Sequence, residues 1–217
     1  PHEMGLQTIT ADYWVHPGDK PFTQHMEGLC FDREGKYLYF CLIGEGKVGR
    51  VNMDTEEYEI IWHDPTKHPV SVRVHQDGRL FVCSFTTGIN GGVFIMDPDG
   101  KNIKQIIANE LIDDLIFDPD GGFYYTVCDG NYYNKTGSVK YCAPDYATTK
   151  MVIPYLASAN GIALNKQGTH LWVTEYMGGR LHRFSLNPSP SVPGTSSIVY
   201  HFTGSHGPDS CSIDEDG

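Results

Sequence analysis

Short runs of apolar, β-branched and aromatic residues alternate with polar turns along the whole chain, and no stretch shows apolar residues at helical spacing. The stretch 26-MEGLCFDREGKYLYF-40 shows the unit: two strand-like runs that turn at Glu34-Gly35. The arrangement returns in SVRVHQDGRLFV, LIFDPDGGFYYTV and GIALNKQGTHLWV, each of which predicts a β-hairpin. The turn segments DREG, HQDG, DPDG, NKQG and DEDG align, and their glycines Gly35, Gly78, Gly121, Gly168 and Gly217 stand 43, 43, 47 and 49 residues apart. A second turn follows 19 residues after the glycine in three repeats, at Asp54, Asp97 and Asn187. Four short strands in each unit of about 45 residues predict the blades of an all-β propeller.

Four units are complete, and the chain stops at Gly217 on a turn that should lead into another strand. A ring closes only when its last blade meets its first, because an open one leaves sheet edges unpaired. Residues 1–217 are therefore expected to form one propeller domain truncated on its C-terminal side, four blades and the start of a fifth from a six-bladed ring.

Composition narrows the functions open to such a fold. The net charge of −11, with no Lys/Arg cluster, argues against a nucleic-acid partner, which needs a basic face. No run approaches the roughly 20 apolar residues of a membrane span. The start PHEMGLQTIT lacks the layout of a secretion signal, so a cytoplasmic home is expected unless a signal was trimmed away. Six cysteines without a CxxC pair, mostly inside apolar runs, predict free thiols. Scattered histidines without HExxH spacing predict no zinc site, and His170 and His182 read as structural residues of strands.

The repeat gives the acids meaning. Eight residues before each turn glycine stand Glu27, Val70, Asp113, Asn160 and Asp209, all at the start of the strand entering the first hairpin. In a propeller the innermost strands line the central channel, so these positions converge at one end of the axis. Taken singly, Asn160-Gly161 is a turn dipeptide, Asp113-Asp114 a strand-end acid pair and Asp209 a loop cap. In register they place three carboxylates and an amide at one spot, which requires a cation. An all-oxygen set selects a hard ion, Ca²⁺ ahead of Mg²⁺. Asp32, Asp118 and Asp214, three residues before their glycines, read instead as turn formers.

These residues carry a family likeness. Glu27-Gly28-Leu29, Asp113-Asp114 with Phe117-Asp118, Asn160-Gly161-Ile162-Ala163 and Gly207-Pro208-Asp209-Ser210-Cys211 resemble the calcium-dependent six-bladed propeller hydrolases that include gluconolactonase, senescence marker protein and luciferin-regenerating enzyme. Within that family, 6-LQTITADYW-14, 77-DGRLFVC-83, 121-GGFYYT-126, 171-LWVTE-175, 180-RLHR-183 and 202-FTG-204 are most similar to its drug-responsive lactonase branch. The resemblance implies one catalytic calcium held by Glu27, Asp113, Asn160 and Asp209 with Ser210 beside it, and Asp209 as the proton-transfer residue. It also implies a second, structural calcium in that branch. Here the corresponding stretches, 87-TGING-91 and 107-IANELI-112, lack the matching ligands, so a second ion built that way is not expected.

A calcium ion at a channel mouth polarises an ester carbonyl and stabilises the oxyanion that forms, and a nearby carboxylate can take the proton of water. The expected function is a calcium-dependent lactonase acting on a small-molecule lactone. Organophosphate or aryl-ester hydrolysis on the same metal, and a non-catalytic ligand-binding propeller, are the alternatives. Asp114, adjacent to Asp113 on one strand, faces the other way and is expected to orient a ligand or hold neighbouring backbone. Specificity is expected in the loops 84–91, 129–137 and 203–209, with Tyr132, Tyr133 and His206 as substrate contacts.

Overall fold

The hairpin turns set the architecture. In each of the four aligned turns the glycine N–H donates back three residues, Gly35 to Asp32 O, Gly78 to His75 O, Gly121 to Asp118 O and Gly168 to Asn165 O, at 2.8–3.2 Å. The first side chain of the turn closes it: Asp32 Oδ1 accepts the Lys36 N–H at 2.7 Å, Asp118 Oδ1 the Gly122 N–H at 2.9 Å and Asn165 Oδ1 the Thr169 N–H at 2.8 Å. All four glycines have φ between 67° and 90°, a region open to glycine at little cost.

The computed structural model describes residues 10, 25–186 and 194–214. Asn187 of the second-turn series, the stretch 6–14 apart from residue 10, and the turn residues 215–217 lie outside the described residues. The first sheet holds β1 (Met26–Phe31), β2 (Tyr37–Leu42), β3 (Lys47–Asn52) and β4 (Tyr58–His63). The second holds β5 (Pro69–Val74), β6 (Leu80–Ser84), β7 (Gly92–Met96) and β8 (Lys104–Ala108). The third holds β9 (Ile112–Phe117), β10 (Phe123–Val127), β11 (Gly137–Cys142) and β12 (Thr149–Leu156). The fourth holds β13 (Ala159–Leu164), β14 (His170–Glu175), β15 (Arg180–Ser185) and β16 (Ser196–His201). Every sheet is antiparallel with its strands in chain order, and the first strands pack side by side, β1 on β5, β5 on β9 and β9 on β13. The described residues thus build four blades of a propeller around an axis lined by β1, β5, β9 and β13.

The core lies between blades. Phe81 and Cys83 of β6 pack toward Phe123 and Tyr125 of β10, while Leu80 and Val82 pack toward Tyr39 and Cys41 of β2. Tyr124, between Phe123 and Tyr125, joins Ile162, Leu171 and Val173 of the fourth blade. Side chains alternate across a strand, so a second strand apolar on both faces glues two neighbours. Full burial of a side chain such as Phe81 contributes about 1.5–3 kcal/mol. All six cysteines are free thiols, as their sequence pattern predicts. Among the described residues no helix is long and apolar enough to cross a membrane.

Candidate metal-binding active site

The strands that line the axis all break register where the aligned residues fall. The pairing of β1 with β2 shifts between Glu27 and Cys30, and that of β5 with β6 between Pro69 and Ser71. On β9 the shift falls between Ile112 and Leu115, and on β13 between Ala159 and Ile162. Such bulges re-aim side chains and are frequent beside active sites. Here they carry Glu27, Val70, Asp113 and Asn160, and with Asp209 and Ser210 of the segment after β16 these residues line one cavity of about 350 Å³.

Close approach of neighbouring blades explains two residues that follow the aligned ones. A methyl group on Gly28 would lie 2.3 Å from Ser71 Cα of the next blade, and one on Gly161 would lie 2.6 Å from Ser210 Cα. Glycine at these places lets the next segment cross directly over the site. The segment carrying Asp209 is pinned there by its main chain: Gly161 N–H and the Thr174 hydroxyl both donate to Asp209 O. Thr126 repeats the device one blade earlier, its hydroxyl donating to Asn160 O at 2.5 Å. Both threonines stand on second strands and fix the backbone of the following blade's aligned residue, leaving the side chains free.

The electrostatics of the cavity are those of crowded acids. Burial pushes the Asp113 carboxyl well above the usual range, and the charges of Asp114, Asp209 and Glu27 push it further. Glu27 is raised by burial and then by Asp209, with His25 opposing. Asn160, 7% exposed, donates through Nδ2 to Asp113 Oδ2 at 3.3 Å, while its Oδ1 is buried without a partner. An orphaned buried acceptor costs about 1–3 kcal/mol. Among the described residues no three His, Cys, Asp or Glu side chains stand close enough to form a ready-made metal shell. Yet two carboxyls, Asp113 and Glu27, raised by burial and by the charge of Asp209, with an unsatisfied amide oxygen among them, fit a hard dication that would answer both.

Asp114 is spent elsewhere. Its Oδ1 accepts Ser71 Oγ–H at 2.6 Å and the Leu115 N–H at 2.9 Å, and its Oδ2 accepts Arg73 Nη2 at 2.7 Å. Arg73 also donates Nε to Leu115 O at 3.1 Å. The pair stitches the second blade to the third and neutralises one acid of the cavity wall. Tyr132, Tyr133 and His206, expected as substrate contacts, do not line this cavity. The two tyrosine rings meet edge to face at the exposed surface, and His206 Nδ1 lies 2.9 Å from Ser205 Oγ. In their place stand Ile43, Phe85, Cys128 and Tyr176, the residues that directly follow β2, β6, β10 and β14, with Met177 and Ser158 nearby.

The sequence and the fold match known proteins. The family description SMP-30/Gluconolactonase/LRE-like region fits residues 25–217, and the chain belongs to that family. Lactonase drp35 of Staphylococcus saprophyticus is 40% identical over 224 residues, covering 99% of this chain and 68% of the relative. Lactonase drp35 of Staphylococcus aureus is 41% identical over 223 residues, with 99% and 67% covered. The chain thus spans about two thirds of their length. A luciferin-regenerating enzyme superposes with a TM-score of 0.73 at 21% identity, over 88% of this chain and 66% of that one. A calcium-binding regucalcin from Agrobacterium tumefaciens gives 0.72 at 16% identity, over 92% and 67%.

The aligned register makes a direct prediction. Glu27→Gln removes a charge from the donor set and should weaken calcium binding by roughly tenfold or more, an effect of more than about 1.4 kcal/mol. Val70→Ala, at the apolar member, should leave it within about twofold. Calcium titration by calorimetry decides, and equal losses in the two variants would make the register a coincidence.

Proposed function

We propose that the protein is a calcium-dependent lactonase that opens a cyclic ester to a hydroxy acid. Glu27, Asp113, Asn160 and Asp209 would hold the ion, with Ser210 beside them. The observation that carries this reading is the convergence of those oxygens on one cavity, with Asn160 Oδ1 buried and unpartnered beside the raised carboxyls of Asp113 and Glu27. The relatives named lactonase supply the reaction class. When bound, calcium supplies a Lewis acid for the ester carbonyl and positive charge for the oxyanion.

The chain's own residues do the rest. Asp209, exposed at the cavity mouth on a pinned main chain, accepts a proton from the attacking water. As the ring C–O bond breaks, the same carboxyl returns that proton to the leaving oxygen, so the product is a hydroxy acid. Ile43, Phe85 and Tyr176 offer an apolar arc for the part of the lactone that does not react.

The six-blade ring and a cytoplasmic home belong to the same reading. Exposed Met26, Leu29 and Phe31 on β1 and Ile198, Val199 and Tyr200 on β16 are apolar surface at the two ends of the arc, suited to further blades. Six free thiols suit a reducing compartment. The test is a panel of sugar lactones, aromatic lactones and aryl phosphotriesters offered to the full-length protein with calcium. Lactone turnover is the expected result. Turnover of phosphotriesters alone would replace lactonase with phosphotriesterase, and no turnover would leave a ligand-binding propeller.

A further inference from the structure

Glu175 ends β14 with a carboxylate only 1% exposed, and the proposed reaction gives it no task. A buried carboxylate is costly unless it is paired and hydrogen-bonded. Four groups from three other chain segments converge to meet that need. Oε1 accepts the Ala157 N–H at 2.8 Å and lies 3.4 Å from Lys135 Nζ. Oε2 lies 2.9 Å from His182 Nε2 and 3.5 Å from Arg180 Nη1. Burial alone would raise this carboxyl, but the bonds from His182 and Ala157 and the charge of Lys135 bring it down to about 2.

What the knot holds is one wall of the cavity. Tyr176 N–H donates to Ser158 O at 2.9 Å and Met177 N–H to Ala157 O at 3.1 Å, so the residues on either side of Glu175's partners are laced together. Ser158 is kept at φ 57°, a conformation strained for a non-glycine residue that persists only where its surroundings impose it. The turn after β14 closes onto the carboxylate, since a methyl group on Gly178 would lie 2.4 Å from Glu175 Cδ. Ser158, Tyr176 and Met177 all line the cavity.

We propose that Glu175 is a positioning residue: its paired carboxylate fixes the segments 157–158 and 176–177 and thereby the substrate-facing wall of the site. The kinetic consequence rests on the lactonase reading; the structural one does not. Asp209 is held separately, by Thr174 and Gly161, so loosening the wall should alter substrate binding and spare proton transfer.

Glu175→Gln keeps the size and an acceptor for Ala157 but removes the charge that faces Lys135, Arg180 and His182. On the lactone turned over fastest in the panel, KM should rise about tenfold with kcat within about twofold, the signature of lost uniform binding. Amide hydrogen exchange should accelerate at least about tenfold at Tyr176 and Met177 and stay unchanged at Val82 and Leu171, marking a local opening. Lys135→Met, a milder change for folding, should move both readouts the same way by less. Unchanged exchange at Tyr176 and Met177 overturns the proposal, as does acceleration of equal size at Val82 and Leu171, or a fall in kcat at constant KM. If the wild-type protein hydrolyses no lactone, exchange alone decides the role of Glu175 and only the lactonase reading fails.

Discussion

Treated with chelator, the full-length protein should lose its turnover and regain it with Ca²⁺ far better than with Zn²⁺. The donors on the cavity are oxygens of Glu27, Asp113, Asn160 and Asp209, a set that suits a hard ion with many ligands and flexible geometry. Two sulfurs lie among the lining residues, the Met177 thioether and the Cys128 thiol, and burial pushes that thiol up to about 12, which makes a zinc-binding thiolate costly to form. The same crowding sets a pH dependence. Glu27 and Asp113 have raised proton affinity in the folded chain, and calcium must displace those protons. Calcium affinity should therefore fall as pH is lowered from 8 into the raised carboxyl range, and binding above that range should release fewer protons. Calorimetry in buffers of different ionisation enthalpy reads both quantities. Full turnover after verified metal removal would end the mechanism, and equal rescue by zinc would point to a nitrogen or sulfur ligand outside the proposed oxygen set.

Why the sequence could be read this far follows from the repeat. The turn glycines recur because each blade needs the same hairpin, and anything at a constant offset from them occupies the same place around the axis. Counting back eight residues found the acids that line the cavity and the valine among them. A second register was equally present and went unread: seven or eight residues past the glycine stand Ile43, Phe85, Cys128 and Tyr176. They share no chemistry, so no residue type flagged them. Only their common place, directly after the second strand of each blade, unites them.

Tyr132 and Tyr133 misled for the converse reason. Aromatic residues in a loop look like ligand contacts, but the 131–134 segment turns on itself, with Asn131 Oδ1 accepting the Tyr133 and Asn134 amides, and carries the rings outward. Strand alternation predicts opposite directions for the adjacent acids Asp113 and Asp114, but a bulge between Ile112 and Leu115 interrupts it and both acids line the cavity. That Asp114 would find Arg73 and Ser71 could not be read from the sequence, because those partners come from 41 and 43 residues away. Glu175 was invisible likewise: its role depends on Lys135, Ala157 and His182 arriving from three other segments.

Asp209→Asn should lower kcat by a factor on the order of 10² or more, the usual consequence of losing a general base. The substitution keeps an oxygen for the metal and removes the basic site. It should also leave the main chain in place, since Gly161 N–H and Thr174 Oγ1 hold the carbonyl of residue 209 rather than its side chain. Calcium affinity should fall much less than kcat. Asp113→Asn is the matched control, because it removes one charge from the same cavity and also retains an oxygen. Its carboxyl is buried and hydrogen-bonded to Asn160, whereas Asp209 is exposed at the mouth where water and lactone arrive. The control should therefore keep most of its turnover once the site is filled. The measurement is kcat at saturating calcium for both variants, with a titration to confirm occupancy. If both lose activity to the same extent with calcium bound, Asp209 is a ligand only, and the proton acceptor must be sought at Glu27 or Asp113, which share its cavity and, unlike Asp114, are not paired with Arg73.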